Sequence, residues 1–338
     1  MNRRPLGNSG LEIPPITFGA WAIGGWYWGG SDDAAALGAI ERAVDLGVTA
    51  VDTAPMYGFG HSEELVGRAL RALGSRRREL LLATKCGLRW GSEEGTFFFK
   101  TRDARGRPTP VHRNLRPASV RAECEASLRR LGADEIDLYQ LHWPDPSTPL
   151  ADTAEVLARL LEEGKIRAVG ASNFDAPLLE ELMSLIPVAS LQPRLSLLDR
   201  SIEPELLPFC RERGLAVLAY SPLAQGILTG AVAPERTYPP GDYRPNQPMF
   251  SPEFLARLQG PLEELRALAR RLGATPAQVA IAWVLGAPGI TSALVGARSA
   301  AQVEENAGAA ALELAEADRE RLGAIFAEVG PPAPLPGS

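Results

Sequence analysis

Short apolar runs alternate with longer amphipathic stretches along almost the whole chain. The runs Ile16–Gly19, Thr49–Asp52, Leu80–Thr84, Ile136–Leu141, Ala168–Ala171, Ser190–Gln192, Ala216–Tyr220 and Thr291–Val295 have the length and composition of strands buried on both faces. Between them, apolar residues recur every three or four positions, as on one side of a helix. Val120, Cys124, Leu128 and Leu131 in ASVRAECEASLRRLG are one such set, and TAEVLARLLEEGKI and EPELLPFCRERG read the same way. Several of these stretches stop at a glycine shortly before the next strand: Leu46-Gly47, Leu131-Gly132, Glu163-Gly164 and Arg213-Gly214. Glycine there supplies the left-handed residue that ends a helix. Ahead of the first unit, RRPLGNSGLEIPPITFG predicts a hairpin turning at Asn8-Ser9-Gly10. About eight strand–helix units with no linker between halves predict an α/β fold, a single (β/α)8 TIM barrel over 1–338 with a flexible Pro-rich tail from about 330.

Two connections are too long for plain turns. One runs from Cys86 to Arg116 and contains Phe97, Phe98 and Phe99; the other runs from about 226 to 250 and is rich in proline. Long loops in a compact domain are usually functional lids or disordered segments, and both of these follow strands. On a barrel they belong over the C-terminal ends of the strands, where such folds carry their active sites. The same strand ends deliver Asp52, Lys85, His142, Ser172-Asn173, Gln192 and Tyr220. Singly, each has an ordinary explanation: Asp52 as a cap, Lys85 as a solvated charge, His142 as a core histidine. At matching ends of successive strands they converge.

Composition narrows the class. A net charge of −6 and a pI near 5.4 argue against nucleic-acid binding, which needs a concentrated basic face. The opening MNRRPLGNSG lacks the apolar core of a secretion signal, and no apolar run is long enough for a bilayer. Cys86, Cys124 and Cys210 are scattered and odd in number, so neither a disulfide framework nor a metal site is expected. A cytoplasmic protein is the reading. Cys86 is expected to be a buried, inert thiol although it adjoins Lys85.

The motifs DTAPMYGFGHSE, LLLATK, DLYQLHWPD and GASNF resemble the aldo-keto reductase superfamily, and the likeness runs from the hairpin to LVGARSAAQVEEN. GGWYWGG and YSPLAQGILTG are similar to the bacterial branch of general stress proteins and inositol-operon reductases. The resemblance implies an NADP(H)-dependent reductase of aldehydes or ketones. Hydride delivery to a carbonyl carbon builds charge on its oxygen, so a proton donor is needed. By resemblance that donor is Tyr57, a poor acid at its ordinary pKa near 10. Lys85 is expected to lower that value as a neighbouring cation, Asp52 to hold Lys85, and His142 to orient the carbonyl.

No GxGxxG follows the first strand, so a Rossmann-type site is not indicated. The resemblance implies instead that the cofactor lies across the barrel mouth. Ser172, Asn173 and Gln192 would bond its carboxamide and Tyr220 would stack on the nicotinamide. Ser221, Pro222, Leu223, Gln225 and Gly226 would wrap the pyrophosphate. Beyond the last strand come Gly296 and then Arg298, placed for a 2′-phosphate near a helix N-terminus, with Ser299 beside it. Gln302, Glu305 and Asn306 would lie toward the adenosine. Leu195 stands where the family often carries an aromatic, so that position adds nothing. Trp21 and Trp143 are expected to rim the substrate pocket, bordered by Trp26, Tyr27 and Trp28, and Arg244 to latch over cofactor phosphates.

Two other readings keep the same residues. One is oxidation of a sugar or inositol hydroxyl by NADP⁺; the other is a non-catalytic regulatory subunit that only binds the cofactor. The partner is in either case a small carbonyl or sugar-like molecule, with weak self-association left open.

Overall fold

The structure, a computed structural model, describes residues 1–232 and 235–332, so the tail expected from about 330 falls, from 333 onward, outside the described residues. Eight parallel strands close into a barrel: Ile16–Gly19 (β1), Ala50–Asp52 (β2), Leu81–Cys86 (β3), Ile136–Leu141 (β4), Ile166–Ser172 (β5), Ser190–Gln192 (β6), Ala216–Tyr220 (β7) and Ile290–Gly296 (β8). Each pairs with the next in sequence, and β8 closes on β1. All eight apolar runs are strands, four with the expected bounds and four with ends shifted by one or two residues.

The two-residue alternation of a strand sorts side chains between two cores. Val51, Leu82, Tyr139, Leu141, Val169, Leu191 and Val217 face outward, into a layer shared with the surrounding helices. Helices follow each strand at Asp33–Asp45 (α1), His61–Leu73 (α2), Pro117–Leu131 (α3), Leu150–Glu162 (α4), Ala176–Leu185 (α5), Leu206–Glu212 (α6), Pro276–Leu285 (α7) and Ala300–Gly308 (α8). Their starts are capped as short polar side chains allow: Asp32 accepts from Ala35 N, Asp175 from Leu178 N, and Thr275 with Gln278 forms a full capping box. The glycine after α3, Gly132, has φ +61, the left-handed turn expected there.

Ala50, Leu81, Ala83, Leu138, Ala168, Ala216, Leu218 and Leu294 instead point into the barrel. They fill its lower part, together with Leu6 and Ile13 of the opening hairpin, whose strands Arg4–Pro5 and Glu12–Ile13 plug the N-terminal end. Going up the strands on the same inward face, the apolar layer gives way to Asp52, Lys85, Gln140, Ser172 and Gln192, all buried. Register keeps these level: Asp52 lies opposite Ala83, Lys85 opposite Gln140, and Ser172 opposite Gln192.

One long connection differs from expectation. Residues 88–113 form an antiparallel sheet of three strands, Leu88–Trp90, Thr96–Arg102 and Pro108–Arg113, with the last in the centre. A register shift between Phe97 and Phe99 breaks the alternation, so three consecutive aromatics hid a strand. Among its described residues, the second connection contains short 3-10 turns, Ala224–Thr229 and Arg244–Asn246 among them, and a single antiparallel bridge from Asp242 to Trp28. No helix of the described residues is long and apolar enough to cross a membrane.

Candidate active site

β2 ends at Asp52, and the chain turns at once into the loop carrying Tyr57. That loop is held close: a Cβ on Gly58, where φ is +68, would strike the carbonyl oxygen of Gly24. Tyr57 is thereby pressed against the loop after β1, while Lys85 rises from β3 beside it. The Lys85 ammonium has three hydrogens and three acceptors. Nζ donates to Asp52 Oδ1 at 2.5 Å, to the carbonyl of Thr53 at 3.0 Å and to the Tyr57 hydroxyl oxygen at 3.2 Å. Because the Tyr57 oxygen accepts from Lys85, its own proton is free to point elsewhere. Asp52 Oδ2 accepts from Gln140 Nε2 at 2.9 Å and from Gln192 Nε2 at 2.8 Å, so the buried carboxylate is fully met.

His142 follows β4 and stands edge-on to Tyr57, with ring centroids 5.9 Å apart. Burial, then the Lys85 charge, hold its pKa well below the usual 6.5, so the imidazole is neutral. Lys85 is raised above its ordinary value: burial pulls it down, but Asp52 and Tyr57 together outweigh that. Tyr57 corrects an expectation. Its pKa is raised, because burial outweighs the pull of Lys85 and the Asp52 carboxylate adds to the rise. The Lys85 charge is the largest opposing influence, yet it does not overcome burial.

The residues expected to meet the cofactor divide. Ser172 donates to the Gln192 carbonyl at 2.9 Å, and Gln192 turns its amide inward to Asp52, so both are buried beneath the mouth. A carboxylate in a dry interior draws the nearest amide donors, which is why Gln192 faces it. Asn173, at φ +60, stays at the surface, donates to the His142 carbonyl at 3.0 Å and accepts from the Tyr220 hydroxyl at 2.9 Å. Ser221, Ala224, Gln225 and Gly226 all have positive φ, an accumulation of costly backbone that favours a functional turn. Pro222 is buried in that turn and Leu223 half-buried. Gln225 Oε1 is buried without a hydrogen-bond partner among the described residues.

Arg298 lies at the end of β8, but its guanidinium is engaged. Nη1 donates to the carbonyl of Trp28 at 3.1 Å and Nη2 to that of Gly30 at 2.9 Å. Gln302 Oε1 accepts from the Arg298 backbone at 2.7 Å, Ser299 caps α8, Asn306 Nδ2 donates to the Gly296 carbonyl at 3.3 Å, and the Glu305 carbonyl accepts from Gln278. Arg244 reaches the turn expected to wrap the pyrophosphate, where Nη1 donates to the Gln225 carbonyl at 3.5 Å, but most of its guanidinium is spent elsewhere. It is buried against Asp242, with Nη2 at 2.6 Å from Oδ2, and lies 4.8 Å from the ring centres of both Trp28 and Tyr238. A guanidinium between aromatic faces and a carboxylate is already satisfied.

Of the two rim tryptophans, Trp21 is 6.2 Å from Tyr57 by ring centroid, and Trp143 packs on Phe98 at 5.1 Å. Phe98 and Phe99 from the added sheet join Trp26, Phe59 and Trp90 in an aromatic wall, whereas Phe97 is exposed. Sequence reasoning missed Gln140, although it sits two residues before His142 on the inward side. It also missed Tyr243, which is 5.6 Å from Trp21.

Behind Lys85, Glu123 on α3 is buried and accepts from Gly87 N at 3.1 Å and from the Ser119 hydroxyl at 3.1 Å. Burial pushes its carboxyl up to about 8, with Arg89 pulling the other way. The folded value lies above the unfolded value of about 4.3, so the contribution is full below that pH and lost as pH rises through about 8. Glu123→Gln should therefore be the more stable chain at pH 8, on the order of a few kcal/mol, with the advantage vanishing near pH 4 in urea melts. Parallel curves for the two chains would contradict the assignment. Cys86 is buried and its thiol pushed well above its ordinary value, mainly by burial, as an inert thiol should be.

Residues 15–326 match the aldo/keto reductase family. The chain is 40% identical to the NADH-specific methylglyoxal reductase of Escherichia coli over 323 residues, covering 94% of this chain and 96% of that protein. It is 37% identical to the aldo-keto reductase YhdN of Bacillus subtilis over 305 residues, 90% and 87% of the two chains. Among solved structures, the glycerol dehydrogenase AKR11B4 from Gluconobacter oxydans superposes with TM-score 0.85 at 37% identity, covering 99% and 98%. The holo form of aldo-keto reductase AKR11C1 from Bacillus halodurans gives 0.74 at 28%, covering 96% of each.

Proposed function

This chain belongs to the aldo/keto reductase family, and we propose that it reduces aldehydes or ketones to alcohols with NADP(H), using Tyr57 as general acid. The observation that carries this reading is the 3.2 Å bond from Lys85 Nζ to the Tyr57 oxygen, backed by the Asp52 pair. A bound nicotinamide would supply the hydride to the carbonyl carbon. Tyr57 donates its uncommitted proton to the oxygen, which becomes strongly basic as charge gathers on it. The phenolate left behind is held by the Lys85 ammonium already bonded to it. The neutral imidazole of His142 can donate to the same oxygen and fix its direction. With its pKa raised by burial, Tyr57 is protonated at neutral pH, the form a proton donor requires.

The cofactor fits the residues at the mouth. Tyr220 offers a ring, Asn173 an amide, and the strained turn at Ser221–Gly226 contains the unpartnered Gln225 oxygen. Arg298 governs the choice between NADPH and NADH. To take a 2′-phosphate it exchanges two neutral carbonyl partners for a dianion, and charge-assisted bonds are the stronger kind. Arg298→Ala should raise KM for NADPH by at least roughly tenfold while KM for NADH moves far less. Equal shifts would remove Arg298 from phosphate recognition and align the chain with its relative named NADH-specific.

The names of the relatives add that small oxygenated compounds such as methylglyoxal belong in the first round of substrates. Following NADPH and NADH oxidation against aldehydes, dicarbonyls, ketoses and inosose tests the reading directly. No turnover with any carbonyl compound would reject it.

A further inference from the structure

Three polar hydrogens in an aromatic cluster around Trp21, whose ring adjoins that of Tyr57, have no partner among the described residues. Trp21 Nε1, Trp28 Nε1 and the Tyr243 hydroxyl are buried, and none has a hydrogen-bond partner among the described residues. Buried polar groups in folded proteins are nearly always met, so such a group normally awaits a ligand or an ordered water. Three in one cluster ask for one explanation. Trp21 is the hub: its ring centre is 5.3 Å from Trp28, 5.6 Å from Tyr243 and 6.2 Å from Tyr57.

The cluster is held in place by ordinary contacts. Trp28 pairs with Asp242 across an isolated antiparallel bridge, and its ring lies under the Arg244 guanidinium. Tyr243 stacks on Tyr27 at 5.0 Å, and its backbone N–H donates to the Tyr27 carbonyl at 3.1 Å. Its chemistry is one-sided. An indole N–H can only donate, and a phenol can donate or accept, so the matching ligand atom is an acceptor. Nearby cations are engaged elsewhere: Lys85 with Asp52, Arg244 with Asp242, and Arg194, whose charge reaches Tyr243, with Asp199 at 3.8 Å, while Arg298 is reserved for the cofactor phosphate. The three donors are themselves neutral, and the acceptor that matches them is a neutral oxygen.

Resting on the reductase reading, we infer that Trp21, Trp28 and Tyr243 form a subsite for a second substrate oxygen. The site then selects carbonyl compounds bearing a hydroxyl or carbonyl on the carbon beside the reacting one. A pocket built to bond such an oxygen penalises a substrate that lacks it, because its own donors are left unmet.

Hydroxyacetone and butanone test this well, since they match in size and differ by OH against CH₃. The measured quantity is the ratio of their kcat/KM values at saturating cofactor, in the wild-type chain and in Tyr243→Phe and Trp28→Phe. Taking each ratio relative to wild type cancels the difference in intrinsic reactivity of the two ketones. Removing one donor should lower the preference for hydroxyacetone roughly tenfold, the effect of one lost hydrogen bond. Tyr243→Phe loses a single oxygen, and an unchanged melting temperature shows that it folds. An unchanged ratio in both variants overturns the subsite. So does a weakened cofactor Kd with the ratio intact, which would assign the donors to the cofactor. A wild-type chain that reduces other carbonyl compounds but neither ketone also overturns it. A chain that reduces no carbonyl compound at all overturns the reductase reading instead.

Discussion

Tyr57→Phe should reduce kcat for carbonyl reduction by roughly 10²- to 10⁴-fold, the range a positioned proton donor contributes. The substitution removes one oxygen and keeps the ring, so the contacts at 6.2 Å to Trp21 and 5.9 Å to His142 persist. Cofactor affinity, measured by fluorescence titration, should stay near the wild-type value. Loss of turnover with binding retained separates an enzyme from a subunit that merely carries the cofactor. Full turnover in the variant would end the assignment of Tyr57, since no other hydroxyl receives a bond from Lys85 among the described residues.

Lys85→Met should be damaging twice over. It takes away the cation that receives the phenolate, so turnover falls with it. It also leaves Asp52 charged and buried with only two amide donors. Removing one member of a buried pair costs about 3–5 kcal/mol, far more than a surface pair would. The stranded carboxylate should then take up a proton, so the variant recovers part of its stability as pH falls. Urea unfolding at pH 7 and pH 5 measures both effects. A double variant, Asp52→Asn with Lys85→Met, should regain most of the lost stability and none of the activity. If Lys85→Met unfolded at the wild-type midpoint, the pair would carry no structural weight.

Much of this site was legible in the sequence because two simple periodicities coincide. Strand alternation and barrel closure together send Asp52, Lys85, Gln192 and Tyr220 to the same end on the inward face. His142 follows from the same argument one residue beyond its strand. Tyr57 sits in a loop, which has no periodicity, and only the family motif marks it. Gln140 obeys the rule as well as Lys85 does and lies within DLYQLHWPD, but an uncharged amide two residues before His142 carries no chemical signal of its own. The sheet at residues 88–113 was hidden by its own irregularity at Phe97–Phe99. The arginines were the least readable. Which carbonyls Arg298 touches depends on a loop some 270 residues earlier, and whether Arg244 is free depends on Asp242 pairing across the mouth. Local pattern carries no information about such distant meetings. The direction of the Tyr57 shift is hidden for a related reason: a neighbouring cation can be read from the sequence, whereas burial, the largest influence on the sign, cannot.

The hairpin that plugs the lower end has a bearing on chemistry it never touches. With Leu6 and Ile13 seated among Leu81, Ala168 and Leu294, solvent can approach the ion pair from one side only. Trimming those first residues would drill a wet shaft up the axis of the molecule. Hydration from beneath would then soften the attraction that keeps the lysine upright, and catalysis would decline although every residue at the opposite end was untouched.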